Sequence, residues 1–157
     1  MAAEDIALVV PEKSGLPAAE IDAVVEIAYL TIAADRRLAD EAVTAFHGVL
    51  ERLRGGEVEQ AELDRVLDDM YDRADKARGE RGYADERLRA LAGKMGVPAR
   101  ELAYKVAYAM GLADMDSSDE EFEFDLQLVD ALELSNDRAE DLADEVMELF
   151  NPAESEP

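Results

Sequence analysis

The sequence predicts an all-α fold: a single domain of about seven helices in which a helix–loop–helix unit is duplicated about a pseudo-twofold. Three observations lead there. Apolar residues recur at three- and four-residue steps along most of the chain, the spacing that gives a helix one apolar face. Gly55-Gly56, Gly79, Gly82, Gly96 and Pro98 mark breaks between these periodic segments. A fourteen-residue stretch, AYLTIAADRRLADE from Ala28 to Glu41, returns as AYAMGLADMDSSDE from Ala107 to Glu120. The two align without a gap at an offset of 79 residues, with six of fourteen positions identical. The full length, 157 residues, suits one domain with a sizeable core.

The elements follow in order. Residues 1–15 are set apart as an N-terminal extension, and the apolar run IALVV within them reads as a strand or a helical turn. Pro17 suits the first turn of a helix, and Ile21, Val24, Val25, Ala28 and Ile32 then form one face. A second helix spans about 40–53 with Val43, Phe46, Leu50 and Leu53 inward, and Gly55-Gly56 ends it. A third, about 59–78, places Leu63, Val66, Leu67, Met70 and Ala74 inward. A short helix at about 84–94 is followed by one at 98–112 with Leu102, Val106, Ala109 and Met110 inward. The sixth runs from 119 to 132, with Phe122, Leu126 and Val129 inward and Ser117 or Ser118 as caps in a capping box with Glu120 or Glu121. Ser135 caps a seventh, with Leu142, Val146 and Leu149 on one side. The helical domain is taken as 16–150, and the acidic tail 151–157 is expected to be disordered.

The repeat concentrates carboxylates. In each copy an apolar helix ends at Ala-Asp, and five residues later Asp-Glu opens the next helix. Asp40, Glu41, Asp119 and Glu120 have a ready structural reading, because acids in a first turn meet free N–H groups and the positive end of the dipole. Asp35 and Asp114 sit at the opposite end, where a carboxylate costs roughly 0.3–1 kcal/mol unless something positive compensates. Arg36 and Arg37 can do so in the first copy. In the second the neighbours are Met115 and Asp116, and five acids fall within eight residues. A hard divalent cation would account for such a cluster, since Ca²⁺ takes six to eight oxygen ligands. The loop is not an EF-hand: from Asp114 its early ligand positions fit, but the glycine of position six is Asp119 and the glutamate of position twelve is Asp125.

An apolar helix running into AAD or LAD, with an acidic helix start soon after, twice over in an all-helical chain, resembles the tellurite-resistance TerB family and its relatives in DjlA-type co-chaperones. The likeness covers about Ala18 to Phe150. It implies a seven-helix pseudo-twofold domain in a stress- or tellurite-resistance-type role, with a divalent cation of the Ca²⁺ or Mg²⁺ kind at paired acidic turns. Carried over by position, the implied metal residues are Asp35, Asp40 and Glu41 in one half and Asp114, Asp116 and Glu120 in the other. Where the family usually has glycine after an aspartate, this chain has Arg36 and Ser117.

Charge narrows the partners. Sixteen bases against 39 acids give a net charge of −23, and residues 113–157 hold seventeen acids and one base, Arg138. Nucleic acid and anionic membrane would be repelled; cations and a basic protein partner would be attracted. A solvated acidic surface, or adaptation to a salt-rich host, would also produce this charge. No segment approaches the length of a membrane span and no leader is evident, so a cytoplasmic protein is expected. Enzymatic chemistry is not expected. There is no cysteine, a single histidine (His47, read as a core or boundary residue), and no nucleophile-elbow or phosphate-loop pattern. The alternative to a cation-binding domain is a metal-free acidic adaptor whose C-terminal helices dock a basic partner.

Overall fold

The computed structural model describes residues 3–11, 15–33, 40–76, 83–113 and 119–150. Among the described residues seven α-helices follow a short 3₁₀ helix, Ala3–Val9: α1 (Ala18–Ala33), α2 (Asp40–Arg54), α3 (Gln60–Lys76), α4 (Tyr83–Ala92), α5 (Val97–Ala113), α6 (Asp119–Ala131) and α7 (Asn136–Phe150). Among the described residues there is no strand.

Two helices form the centre. Every residue from Ala23 to Tyr29 of α1 is buried, and α5 buries Ala99, Leu102–Tyr104, Val106, Ala107, Ala109 and Met110. Both are apolar on more than one face and pack extensively against each other. The remaining helices are amphipathic and lay one face on this pair. Leu63, Val66 and Met70 of α3 point inward, as do Leu142 and Val146 of α7. A helix with a single apolar stripe gains its stability from such packing rather than from propensity.

The duplication reaches further than the helix–loop–helix units. Shifting α1 by 79 residues gives 97–112, and shifting α2 gives 119–133, against α5 at 97–113 and α6 at 119–131. The 3₁₀ helix shifts to 82–88, on top of α4 at 83–92. It packs on α2 and α5, while α4 packs on α6 and α1. Each lead-in therefore rests on the second helix of its own half and on the central helix of the other, the exchange a twofold relation requires. The IALVV run is helical, not a strand, and Ile6, Val9 and Val10 lie in the main core.

The ends are chemically determined. Pro17 caps α1 through its carbonyl, which accepts from the Glu20 and Ile21 N–H groups at 3.0 Å. Gly55, at φ 78°, ends α2 with the Gly56 N–H donating back to the Glu51 carbonyl at 3.1 Å. That left-handed position suits a residue without Cβ. The Ser135 hydroxyl accepts from the Arg138 N–H at 3.1 Å and caps α7. Leu126 departs from the expected inward face of α6: it is 55% exposed, and Leu128, Ala131 and Leu132 are buried instead. Val129, also expected inward, packs partly buried against the core, and α6 rests on α4 and α5. Ala74 and Phe122, also expected inward, have side chains outside the described residues.

Candidate functional site

The acidic turns join the ends of the repeated helices. α1 ends at Ala33 and α2 opens on Asp40, with Asp40 and Glu41 both exposed in its first turn. α5 ends at Ala113 and α6 opens on Asp119 and Glu120. Asp35, Asp114 and Asp116 lie outside the described residues, as does the side chain of Glu120. Among the described residues no group of three or more His, Asp or Glu side chains is placed to hold a metal ion. Asp40 and Glu41 by themselves offer fewer oxygens than a hard cation takes, so any such site depends on Asp35 and its counterparts in the turns.

Elsewhere the bases serve the fold. Glu26, 3% exposed on α1, accepts from Arg87 of α4 through both carboxylate oxygens and from Arg73 of α3 at 2.9 Å. Burial opposes its charge, but the two guanidiniums outweigh that and hold its carboxyl below the usual range. Arg52 donates twice to the Val10 carbonyl, at 3.0 and 2.7 Å, and ties the N-terminal segment to α2. Arg100 donates to the Ala92 and Met95 carbonyls and to that of Leu132, fastening α4 and α6 to α5. Arg138 grips Glu101 bidentately at 2.7 and 2.8 Å, joining α7 to α5. Five of the sixteen bases are thus engaged in ties between elements.

An open cleft of about 630 Å³ lies beside α2, lined by Ala7, Thr44, His47, Glu51, Arg52 and the Gly55-Gly56 turn. Its His47, Glu51 and Arg52 are engaged with backbone groups. His47 is half-buried, and its Nε2–H donates to the Val58 carbonyl at 2.6 Å. Glu51 accepts from the Val58 N–H at 2.9 Å. Together they pin both backbone groups of the buried Val58 and set the α2–α3 connection, a structural task.

The second half carries a polar cluster that helical periodicity did not reveal. Tyr104 and Tyr108 of α5 stack with centroids 6.2 Å apart and planes at 26°. The Tyr104 hydroxyl donates to Asp125 of α6, a half-buried carboxylate. Burial pushes Asp125 up, and the Tyr104 hydrogen bond only partly offsets it. Burial and then Asp125 push up both phenols, with Asp144 of α7 adding to the effect on Tyr108. Tyr29, the repeat counterpart of Tyr108, is instead 2% exposed and meets Phe46 edge-on at 6.3 Å.

Two signals could have found these groups. Glu26 is the one charge within the run AVVEIAYL, and Asp125 falls on Phe46 when the halves are aligned.

The comparisons with known proteins are brief: no family model, curated protein or solved structure matches this chain.

Proposed function

We propose that the chain is a non-enzymatic, cytoplasmic helical module of the TerB-like type, binding a divalent cation at its paired acidic turns in a stress-response role. The observation that supports this reading best is the register of the halves. α1 and α5, and likewise α2 and α6, begin at the same positions of the 79-residue repeat. Asp40-Glu41 and Asp119-Glu120 therefore open equivalent helices, and the acids preceding them fall in equivalent connections. Asp35, Asp40 and Glu41 would serve one cation, and Asp114, Asp116 and Glu120 the other. The cation would supply the positive charge that the second turn lacks and draw two helix ends together. Among the described residues no helix is long and apolar enough to cross a membrane, which fits a module of this kind.

The test is a thermal melt with Ca²⁺, Mg²⁺ or Mn²⁺ at micromolar levels in buffer already high in KCl. A ligand specific to the folded state at about 100 times its Kd adds roughly 2.7 kcal/mol, several degrees for a domain of this size. A saturable shift with one ion, reduced by Asp114→Asn and less so by Asp35→Asn, is expected. A shift no larger than KCl alone produces would sink the reading.

A second reading, the metal-free acidic adaptor, draws on α7. Glu140, Asp141, Asp144, Glu145 and Glu148 are all exposed on that helix, together with Met147 and Leu149. Carboxylates interleaved with exposed apolar groups suit a basic, partly apolar protein surface, and such association would weaken as salt rises.

A further inference from the structure

α3 and α7 are the third helices of the two halves, and each lays one apolar stripe on the centre of the molecule. Each also carries six acids. They differ in what meets those acids. α3 holds three bases, Arg65, Arg73 and Lys76. Arg65 lies 3.1 Å from Glu62 and Arg73 2.8 Å from Asp69, so this helix is paired along its own surface. α7 holds one base, Arg138, and its guanidinium is given to Glu101 of α5.

The acids of α7 therefore face one another. Asp137 and Asp141, Glu140 and Asp144, Asp141 and Glu145, and Asp144 and Glu148 stand four residues apart, and all six side chains are exposed. Residues at that spacing are neighbours on a helix surface, and like charges there oppose the helix. The dipole adds to this. Glu145 and Glu148 lie toward the C-terminus, the negative end, and the last turn has no base. Against these stand the burial of Ala139, Leu142 and Val146 and two ion pairs to α5, Arg138 with Glu101 and Lys105 with Glu145.

Salt acts unequally on the two sides. Apolar burial does not depend on charge and is not screened. The Arg138–Glu101 pair is bidentate at 2.7 and 2.8 Å, well inside the screening length of about 10 Å at 0.1 M salt. The repulsion among the exposed acids of α7, and between them and the rest of a chain of net charge −23, acts through water over longer distances. That is the part that salt removes.

We infer that the seating of α7 on α5 is set by ionic strength: α7 opens locally at low salt and closes as salt rises, while α3 responds far less. No metal and no partner takes part, so the inference is independent of both functional readings.

The experiment is hydrogen exchange on the full chain with EDTA present, at about 0.02 M and about 0.5 M KCl. Amides of α7 are expected to exchange about tenfold more slowly at the higher salt, and those of α3 to change less than about threefold. Asp144→Lys turns two like-charged pairs, with Glu140 and Glu148, into opposite ones. It should protect α7 at low salt about as well as KCl protects the parent. Asp68→Lys makes the same change in net charge on α3, between Asp64 and Asp72. It should leave the salt response of α7 within about twofold of the parent's. If α7 in the parent responds no more than α3, the inference is overturned. It falls equally if Asp68→Lys abolishes the response of α7 as fully as Asp144→Lys does, because net charge would then be the cause.

Discussion

Glu26 on α1 and Lys105 on α5 occupy the same position of the two halves and carry opposite charge. Glu26 turns toward Arg73 of α3 and Arg87 of α4, whereas Lys105 lies 3.6 Å from Glu145 of α7, the counterpart of α3. One half thus joins its central and third helices with acid inside and base outside, and the other half does the reverse. The two pairs differ in burial. The Glu26 side chain is 4% exposed, while Lys105 and Glu145 are 28% and 51% exposed.

Burial decides their worth. Glu26→Gln leaves a buried neutral amide against two guanidiniums that keep some contact with water, and is expected to cost about 2–3 kcal/mol. That corresponds to a melting point lower by roughly 5–10 °C. Lys105→Gln breaks a solvated pair and should cost less than about 1 kcal/mol. Melting the two variants side by side at pH 7 checks the contrast, and equal losses would refute it.

The pH dependence of stability should carry two opposing contributions. Glu26 is held below its ordinary value of 4.5, so its contribution is complete above that value and is lost as pH falls through the folded-state pKa. Asp125 is raised above its ordinary 3.8, so it favours the fold at low pH and costs stability as pH rises through the folded-state pKa. Asp125→Asn is therefore expected to equal or exceed the parent's melting point at pH 7, with the difference narrowing as pH approaches 4. A gap that widens on acidification would contradict the assigned direction.

Gly48 is where α2 meets the N-terminal segment. A Cβ added there would lie 3.2 Å from the Cβ of Ala7, tighter than packed side chains accept without movement. Gly48→Val should destabilise by about 1–3 kcal/mol through overpacking. Ala7→Gly in the same chain should restore part of the loss, because it removes the atom that is met. Denaturant midpoints of the single and double variants measure this, and purely additive losses would place the strain elsewhere.

The C-terminal ends of α2 and α6 adopt left-handed residues of different kinds, Gly55 at φ 78° and Glu133 at φ 58°. The same backbone geometry predicts opposite outcomes. Gly55→Ala should cost about 1 kcal/mol, and Glu133→Gly should gain up to about 1 kcal/mol. The Glu133 contact with Arg100 is 3.4 Å long and the Glu133 side chain is 77% exposed, so its loss subtracts little. Thermal melts of both variants check the signs.

Much of this architecture was legible along the chain. Helix limits came within a few residues because Pro17, Gly55 and Ser135 act locally, through a fixed φ, a left-handed conformer and a hydroxyl cap. Periodicity found the inward faces of α2 and α3, which carry single apolar stripes. It misread α6, where Leu126 and Leu128 both fit a stripe and only packing on α4 and α5 selects Leu128. The acidic turns were legible as a repeated pattern. The Tyr104–Tyr108–Asp125 cluster was not, because it joins residues seventeen or more positions apart on two helices.

Local composition and the 79-residue repeat by themselves determined an all-helical chain in two related halves with an acidic surface, since caps, turns and apolar spacing act within a few residues. The tertiary structure alone decided which charges are buried and what faces them. Glu26 is a paired core carboxylate and Asp125 a half-buried one whose partner is the Tyr104 hydroxyl, though each is simply an acid on an apolar-faced helix in sequence. The reason is that solvation and charge pairing depend on which helices meet, and the meeting of α1 with α3 and α4, or of α5 with α6, is fixed by packing across the whole molecule.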